Sequence, residues 1–294
     1  MFNLKNKSVP VLDFLCATPP REITKKYSCG FTLAEVLITL VIIGVIAAIT
    51  VPVMYAKHQK HQLAIRAKQT YSILQNGFKQ ALAKDGVDIL SDTALVQSIA
   101  GDVITNGSGE QEFRKEFQKV FKVMAGKEKV DLNDDSVMNI KYKTLNGKAT
   151  FSPILNWAEF NQIFYLANGS IAYIYLFKVP QGCNVSNEAI KQAGGHLYQP
   201  IGYVMFDTNG VKGPNQWGRD LFSTILGNDG NLYARASKDE LICAAGRVDE
   251  NYTWNSDTNA NDYSCKSDNN TTTGAGYGQG CLSRLLDEGW EMNY

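Results

Sequence analysis

Apolar positions follow three different patterns along the chain. Between Val36 and Ala56 they are nearly continuous: 21 residues, VLITLVIIGVIAAITVPVMYA, carry no charge. As a helix this run spans about 30 Å, the thickness of a bilayer's hydrocarbon. Beyond it the pattern becomes periodic. Leu63, Ala67, Tyr71, Leu74, Phe78 and Leu82 recur at spacings of three and four, the stripe of a helix with one buried face. One helix is therefore predicted from residue 31 to about Lys84, roughly 80 Å long. Gly44 and Pro52 are its weak points and predict a kink, since glycine costs helix stability and proline lacks an N–H. Asn76-Gly77 predicts a second bend.

Further on, residues 91–101 (SDTALVQSIAG) and 110–125 read as short helices, the second striped by Phe113, Phe117, Val120, Phe121 and Met124. Strand-like runs then take over. Ile140–Leu145 and Lys148–Ser152 flank Asn146-Gly147, and Gln162–Ala167 and Ser170–Phe177 flank Asn168-Gly169. Asn-Gly between such runs predicts hairpins whose two turn residues take positive φ. Ile171–Phe177 is apolar on both alternations, which predicts a central strand with one face on the long helix. Ile201–Phe206 is another strand. The fold class is α+β: one long N-terminal helix, membrane-spanning in its first half, packed on an antiparallel sheet head with inserted short helices.

Charge adds a direction. The 294 residues carry 29 Lys+Arg and 29 Asp+Glu, a net charge of +0, with 44% hydrophobic and 20% charged residues. This excludes a disordered chain and argues against a general nucleic-acid binder. Residues 1–30 hold Lys5, Lys7, Arg21, Lys25 and Lys26 against Asp13 and Glu22, a net +3. The positive-inside rule places this segment in the cytoplasm. A secretory signal would have a shorter apolar region ending in a small-x-small site, which does not fit. Lys57, His58, Lys60, His61, Arg66 and Lys68 follow the apolar run. They read as a collar near anionic headgroups or acidic neighbours; the competing reading, DNA contact, sits poorly with the net acidic remainder. Glu35 stands at the edge of the run, where a charge costs about 2.5–3.5 kcal/mol if buried in a bilayer.

Lys25-Lys26-Tyr27-Ser28-Cys29-Gly30, followed by Phe31-Thr32-Leu33-Ala34-Glu35-Val36-Leu37, resembles the prepilin leader and cleavage motif of type IV pilins and type II secretion pseudopilins. The resemblance implies a pilin-like fold and a cytoplasmic leader, residues 1–30, cut after Gly30 by prepilin peptidase, with methylation of the new amine on Phe31. A leader of 30 residues is long for that family. The remainder divides into a transmembrane or fibre-core half of the helix (31–56), an amphipathic half (57–86) and a head (87–294). Phe31 and Glu35 are four apart and would share a helix face. If both charges leave water in a fibre, Glu35 can neutralise a neighbour's amine and set the register between subunits, since an unpaired buried charge is costly.

The implied partners are other pilin-like subunits, prepilin peptidase, the inner-membrane assembly platform with its ATPase, and the membrane before assembly. The implied location is the bacterial inner membrane, single-pass with the head outside the cytoplasm, then a periplasmic or extracellular fibre. The reading is a structural subunit of a type IV pilus or a type II secretion-type fibre. One alternative is a minor tip subunit that binds a surface, carbohydrate or DNA. A membrane-anchored envelope enzyme is the third option.

Candidate chemistry in the head is sparse. Residues 207–222, DTNGVKGPNQWGRDLF, resemble a loop seen in pilin-like proteins. Asp207, Asn209 and Asp220 supply oxygens of the kind Ca²⁺ takes, against the plainer reading of side chains capping their own turns. No other cofactor is implied. Gly213–Asp220 approaches a phosphate-binding loop, but Arg219 and Asp220 replace its Lys and Ser/Thr, and a carboxylate there repels phosphate. Gly274–Gly280 (GAGYGQG) lacks the strand and helix of a dinucleotide site, and 249–280 reads as loop. Cys183, Cys243, Cys265 and Cys281 allow three disulfide connectivities, of which Cys183–Cys243 with Cys265–Cys281 is preferred. No hydrolase or zinc-protease signature is present, and three histidines are few for such sites. Trp157, Trp217, Trp254 and Trp290 read as core or rim, with a sugar-binding face as the alternative. The last segment should dock with Leu285, Leu286 and Trp290 inward.

Overall fold

A computed structural model of the chain describes residues 30–99, 101, 110–126, 140–151, 162–178, 200–234, 265 and 278–294. Helix α1 runs from Leu33 to Asp85 without a break through Gly44, Pro52 or Gly77. A 3₁₀ turn (Leu90–Asp92), α2 (Ala94–Gln97) and α3 (Glu110–Val120) follow. The strands are β1 (Tyr142–Lys143), β2 (Thr150–Phe151), β3 (Gln162–Tyr165), β4 (Ile171–Leu176), β5 (Pro200–Asp207), β6 (Leu221–Gly227) and β7 (Leu232–Ala234), and α4 (Cys281–Asp287) comes last.

Strands β3 to β7 form one antiparallel sheet in chain order, and β1–β2 form a separate hairpin. Residues within the chain group into two units, 1–52 and 53–294. In the first, residues 31–52 of the apolar run are exposed at every position but Ala47. Thr39 and Thr50 return their hydroxyls to the carbonyls of Val36 and Ile46 at 2.9 Å. Neither threonine of the run therefore offers lipid or apolar protein an unsatisfied hydroxyl.

In the second unit, α1 buries Ala64, Ala67, Thr70, Leu74, Gly77, Phe78 and Ala81. The apolar side chains among them join one core with Ala172, Ile174 and Leu176 of β4, Val204 and Phe206 of β5, and Leu226 of β6. Strand β4 lies between β3 and β5, with alternate residues on the helix, as its apolar alternations predict. Its other face places Ile171 and Tyr173 in a second cluster with Tyr142, Phe151 and Trp217. Each large side chain sealed this way contributes about 1.5–3 kcal/mol.

Gly77 lies inside the unbroken helix α1. A Cβ there would lie 2.0 Å from a Phe121 ring carbon, so the glycine lets that ring approach the helix backbone. Phe121 stacks on Phe117 with centroids 4.1 Å apart, and Phe117 on Phe164 of β3 at 3.8 Å. One aromatic ladder thus ties α1, α3 and the sheet together.

Both short helices are shorter than predicted. Helix α2 is one turn, capped by the Thr93 hydroxyl. Helix α3 stops at Val120, because the next residues pair with the edge of β3: Met124 N–H donates to Tyr165 O at 2.8 Å, and Ala167 N–H to Lys122 O at 2.9 Å. A sheet edge with free backbone groups outcompetes another helical turn.

The two Asn-Gly turns also differ from expectation. Only their glycines take positive φ, 71° at Gly147 and 86° at Gly169. Each closes by an N–H to the carbonyl three residues earlier, Thr144 or Leu166, and the asparagine oxygen accepts the N–H two residues on, from Lys148 or Ser170. These are longer hairpin loops built on an ordinary turn with a left-handed glycine.

Strands β6 and β7, unmarked by the sequence pattern, are joined by a turn with Gly230 at φ 76°. Edge strand β7 is held by helix side chains: Tyr71 donates to Leu232 O at 2.7 Å, and Gln75 accepts Leu232 N–H at 2.8 Å. Those contacts occupy backbone groups that could otherwise recruit another strand. Leu282 and Leu285 of α4 are buried, and Leu286 and Trp290 pack against the same core.

Candidate functional site

The helix start, the turns of helix after the apolar run, and the β5–β6 loop carry the candidate chemistry.

Helix α1 begins at Leu33, so Gly30, Phe31 and Thr32 precede it. Gly30 has open space around it and Phe31 is 87% exposed. Thr32 N–H and Oγ1–H both donate to Glu35 Oε2, at 2.9 and 2.8 Å, and Glu35 N–H donates back to Thr32 Oγ1 at 3.2 Å. Thr32 O accepts the first helical bond, from Val36. This is a reciprocal capping box, and it satisfies donors that the first turn leaves free. Phe31 is therefore outside the helix and does not share a helical face with Glu35 here. Thr32 is the residue that reading the sequence missed; its signal was T-x-x-E ahead of an apolar run.

Lys57, His58, His61, Arg66 and Lys68 are exposed on α1, and Lys60 is half-buried. The Lys60 ammonium donates to Tyr294 O at 2.9 Å. Burial, and then the charge of Arg219, lower its pKa below the ordinary lysine range. The Tyr294 ring lies between two guanidinium groups, with Arg219 Cζ 5.5 Å and Arg284 Cζ 5.3 Å from its centroid, and its hydroxyl donates to Gly218 O at 2.8 Å.

The three calcium candidates come together in the loop between β5 and β6. Asp207 and Asp220 are fully buried at its two ends. Asp207 Oδ1 accepts the N–H groups of Asn209 and Gly210, both at 2.9 Å, and its Oδ2 accepts the Tyr142 hydroxyl at 2.5 Å. Asp220 accepts the N–H groups of Asn215 at 2.7 Å and Gln216 at 2.6 Å. Asn209 Nδ2 donates to Gly213 O at 3.0 Å. Both carboxylates thus cap the backbone of their own loop.

Burial pushes the Asp207 pKa well up, with the Asp220 charge adding to it and the Tyr142 and backbone bonds opposing. Burial likewise raises Asp220 to about 6, against the pull of its backbone bonds. Thr208 Oγ1, Asn209 Oδ1 and Asn215 Oδ1 are buried with no hydrogen-bond partner among the described residues. These three oxygens are acceptors of the kind Ca²⁺ takes, while both carboxylates already accept hydrogen bonds from the loop and Tyr142. Among the described residues no group of three His, Cys, Asp or Glu side chains forms a metal cluster, so any such cation would rely on amide, hydroxyl and backbone oxygens as well.

Cys265 and Cys281 form a disulfide with an S–S distance of 2.07 Å; Cys183 and Cys243 lie outside the described residues. A Cβ on Gly218 would stand 2.5 Å from Cys281 Sγ, so the disulfide abuts the β5–β6 loop. Arg284 holds the other cysteine's carbonyl, Nη1 to Cys265 O at 2.9 Å, while its Nε pairs with Glu288 at 2.7 Å. Trp217 is core, 1% exposed. Trp157, Trp254 and most of 249–280 lie outside the described residues.

Helix α1 is long and apolar enough to cross a membrane. Residues 25–51 match the family described as a prokaryotic N-terminal methylation motif. No curated protein and no solved structure matches the chain. The family match is therefore confined to residues 25–51, and the head is described by its own fold.

Proposed function

We propose that this chain is a structural subunit of a type IV pilus or a type II secretion-type fibre. The observation that carries the reading is the methylation-motif match over residues 25–51, joined to an apolar helix exposed at nearly every position from 31 to 52. Such a surface is stable in lipid, or against identical helices once lipid is left behind. Residues 1–30 serve as a cytoplasmic leader removed after Gly30 by prepilin peptidase, Phe31 receives the methyl group, and residues 31–56 span the inner membrane. The head stays outside the cytoplasm. The assembly platform and its ATPase then move the subunit into a helical fibre, where Pro52 and Gly44 ease local adjustment of the helix.

In this reading Glu35 has two successive partners. It closes the Thr32 box in the separate subunit, and exchanges that contact for a neighbour's terminal amine in the fibre. Glu35→Ala should still be cut and inserted, yet be lost from sheared fibres by roughly tenfold or more, the scale of one lost charge pair; incorporation at the parent level would remove the registry role. The first test is the mass and N-terminal sequence of the protein from the cell envelope. A chain starting at Phe31 with one added methyl group supports the proposal. A chain retaining residues 1–30 in cells with active prepilin peptidase reduces it to an anchored domain.

The second reading, a scarce tip subunit that binds a surface, carbohydrate or DNA, draws on the size of the head, residues 87–294, and its Asn- and Asp-rich stretch at 249–273. Copy number separates the two: a structural subunit dominates sheared fibres and a tip subunit does not.

A further inference from the structure

The polymerisation reading leaves the basic residues after the apolar run without a task, and any role for them at a bilayer rests on the span it assigns. Ala56 ends the uncharged run. Lys57, His58, Lys60 and His61 come within about 7.5 Å of helix rise beyond it, which is the depth of a headgroup layer. Arg66 and Lys68 stand about 15–18 Å along the helix from Ala56. Spacings of four and seven put Lys57, His61 and Lys68 on one flank of α1, beside the face that Ala64 and Ala67 bury.

Five cations further along the chain are ion-paired. Lys84 pairs with Asp85 and Glu116, Arg114 with Glu110, Lys115 with Glu112, Lys119 with Glu116 and Arg284 with Glu288. Among the described residues, no such pair involves Lys57, Lys60, Arg66, Lys68 or Arg219. The β5–β6 loop brings Arg219 to the residue that Lys60 also touches: Lys60 Nζ donates to Tyr294 O at 2.9 Å, and Arg219 Cζ lies 5.5 Å from the Tyr294 ring. The cations in the turns just past the span thus have no carboxylate side chain beside them among the described residues, and they stand where a headgroup layer would lie.

We propose that Lys57 and Lys60, with Arg219 near Lys60, bind the headgroups of anionic phospholipids in the leaflet that faces the head. This contact fixes the depth of the subunit and adds a charge-dependent hold that extraction into a fibre has to break. Attraction to an anionic leaflet falls off within about 8 Å at physiological salt. Arg66 and Lys68 therefore contribute little to the hold.

The test uses full-length protein reconstituted in phosphatidylcholine bilayers, with spin-labelled phosphatidylglycerol or phosphatidylcholine as the probe. The readout is the motionally restricted lipid fraction. Phosphatidylglycerol should be preferred about fivefold at low salt, approaching parity in molar salt. Lys57→Gln with Lys60→Gln should bring the ratio near one, and Arg66→Gln with Lys68→Gln should leave it within a factor of about two. Restricted lipid without headgroup preference, or a preference that survives in the first variant, overturns the proposal and leaves the span intact. No restricted lipid at all overturns both. Retardation of duplex DNA that the first variant abolishes, with parity between the lipids, would assign these residues to nucleic acid instead.

Discussion

The Tyr142 hydroxyl donates to the Asp207 carboxylate at 2.5 Å and lies 3.1 Å from the Tyr173 hydroxyl, all three groups buried. One hydrogen bond therefore joins the β1–β2 hairpin to the end of β5. Tyr142→Phe keeps the ring in its cluster and removes one of the donors to a buried carboxylate. It should destabilise the protein by about 1–3 kcal/mol, measured by chemical denaturation of the full chain in detergent. A loss below about 0.5 kcal/mol would show that the carboxylate finds an equal partner elsewhere.

The two loop carboxylates give stability a definite pH slope. Asp220 titrates near 6 in the folded chain and Asp207 is also raised, mainly through burial, whereas both ionise near about 4 when unfolded. Between those values the folded state binds more protons, so the Asp220 contribution is full below about pH 4 and is lost as pH rises through about 6, and Asp207 acts in the same sense. Asp85 and Glu116, lowered by their partners, act in the opposite sense. The difference between the parent and Asp220→Asn isolates the loop. Relative to the variant, the parent should lose on the order of 1–3 kcal/mol between about pH 4 and pH 7. A parent that gains stability on the variant over that range contradicts this account.

A calcium ion held by this loop would compete with protons for the same oxygens. At about pH 7.5, Ca²⁺ well above its dissociation constant should raise the melting temperature by several degrees, corresponding to about 2.7 kcal/mol at a hundredfold excess, and a chelator should reverse it. The gain should shrink near pH 5, where protons occupy the carboxylates, and vanish in Asp220→Asn. An unchanged melting temperature in millimolar Ca²⁺ at the higher pH would leave Asp207 and Asp220 as turn caps and nothing more.

Gly77→Ala tests the aromatic ladder. Alanine normally gains about 1 kcal/mol over glycine inside a helix. Here the added methyl would meet the Phe121 ring at 2.0–2.5 Å, and overpacking of this kind costs about 1–3 kcal/mol. The variant should therefore be less stable than the parent. Adding Phe121→Leu should recover part of the loss, a coupling that a double-mutant cycle reads directly. A simple gain from Gly77→Ala would mean that the ring moves aside freely.

The chain pattern alone determined the long helix, the central strand β4 with its neighbours β3 and β5, and the position of the two Asn-Gly hairpins. Each follows from local sequence: 21 uncharged residues, a stripe of period 3.6, Asn-Gly between β-rich runs. The processing motif was legible for the same reason, being contiguous. What tertiary structure decided was where local preferences gave way. Helix α3 ends at Val120 because the β3 edge takes over its following backbone groups, and Gly77 stays helical because Phe121 needs the room. Glu35 turns to Thr32, although its spacing from Phe31 first suggested a shared face. Asp207 and Asp220 are 13 positions apart in the chain, and the partner of the buried Asp207 carboxylate, the Tyr142 hydroxyl, comes from a hairpin 65 residues earlier. Contacts between distant segments have no period to read, because loop closure and desolvation are settled only when the core assembles.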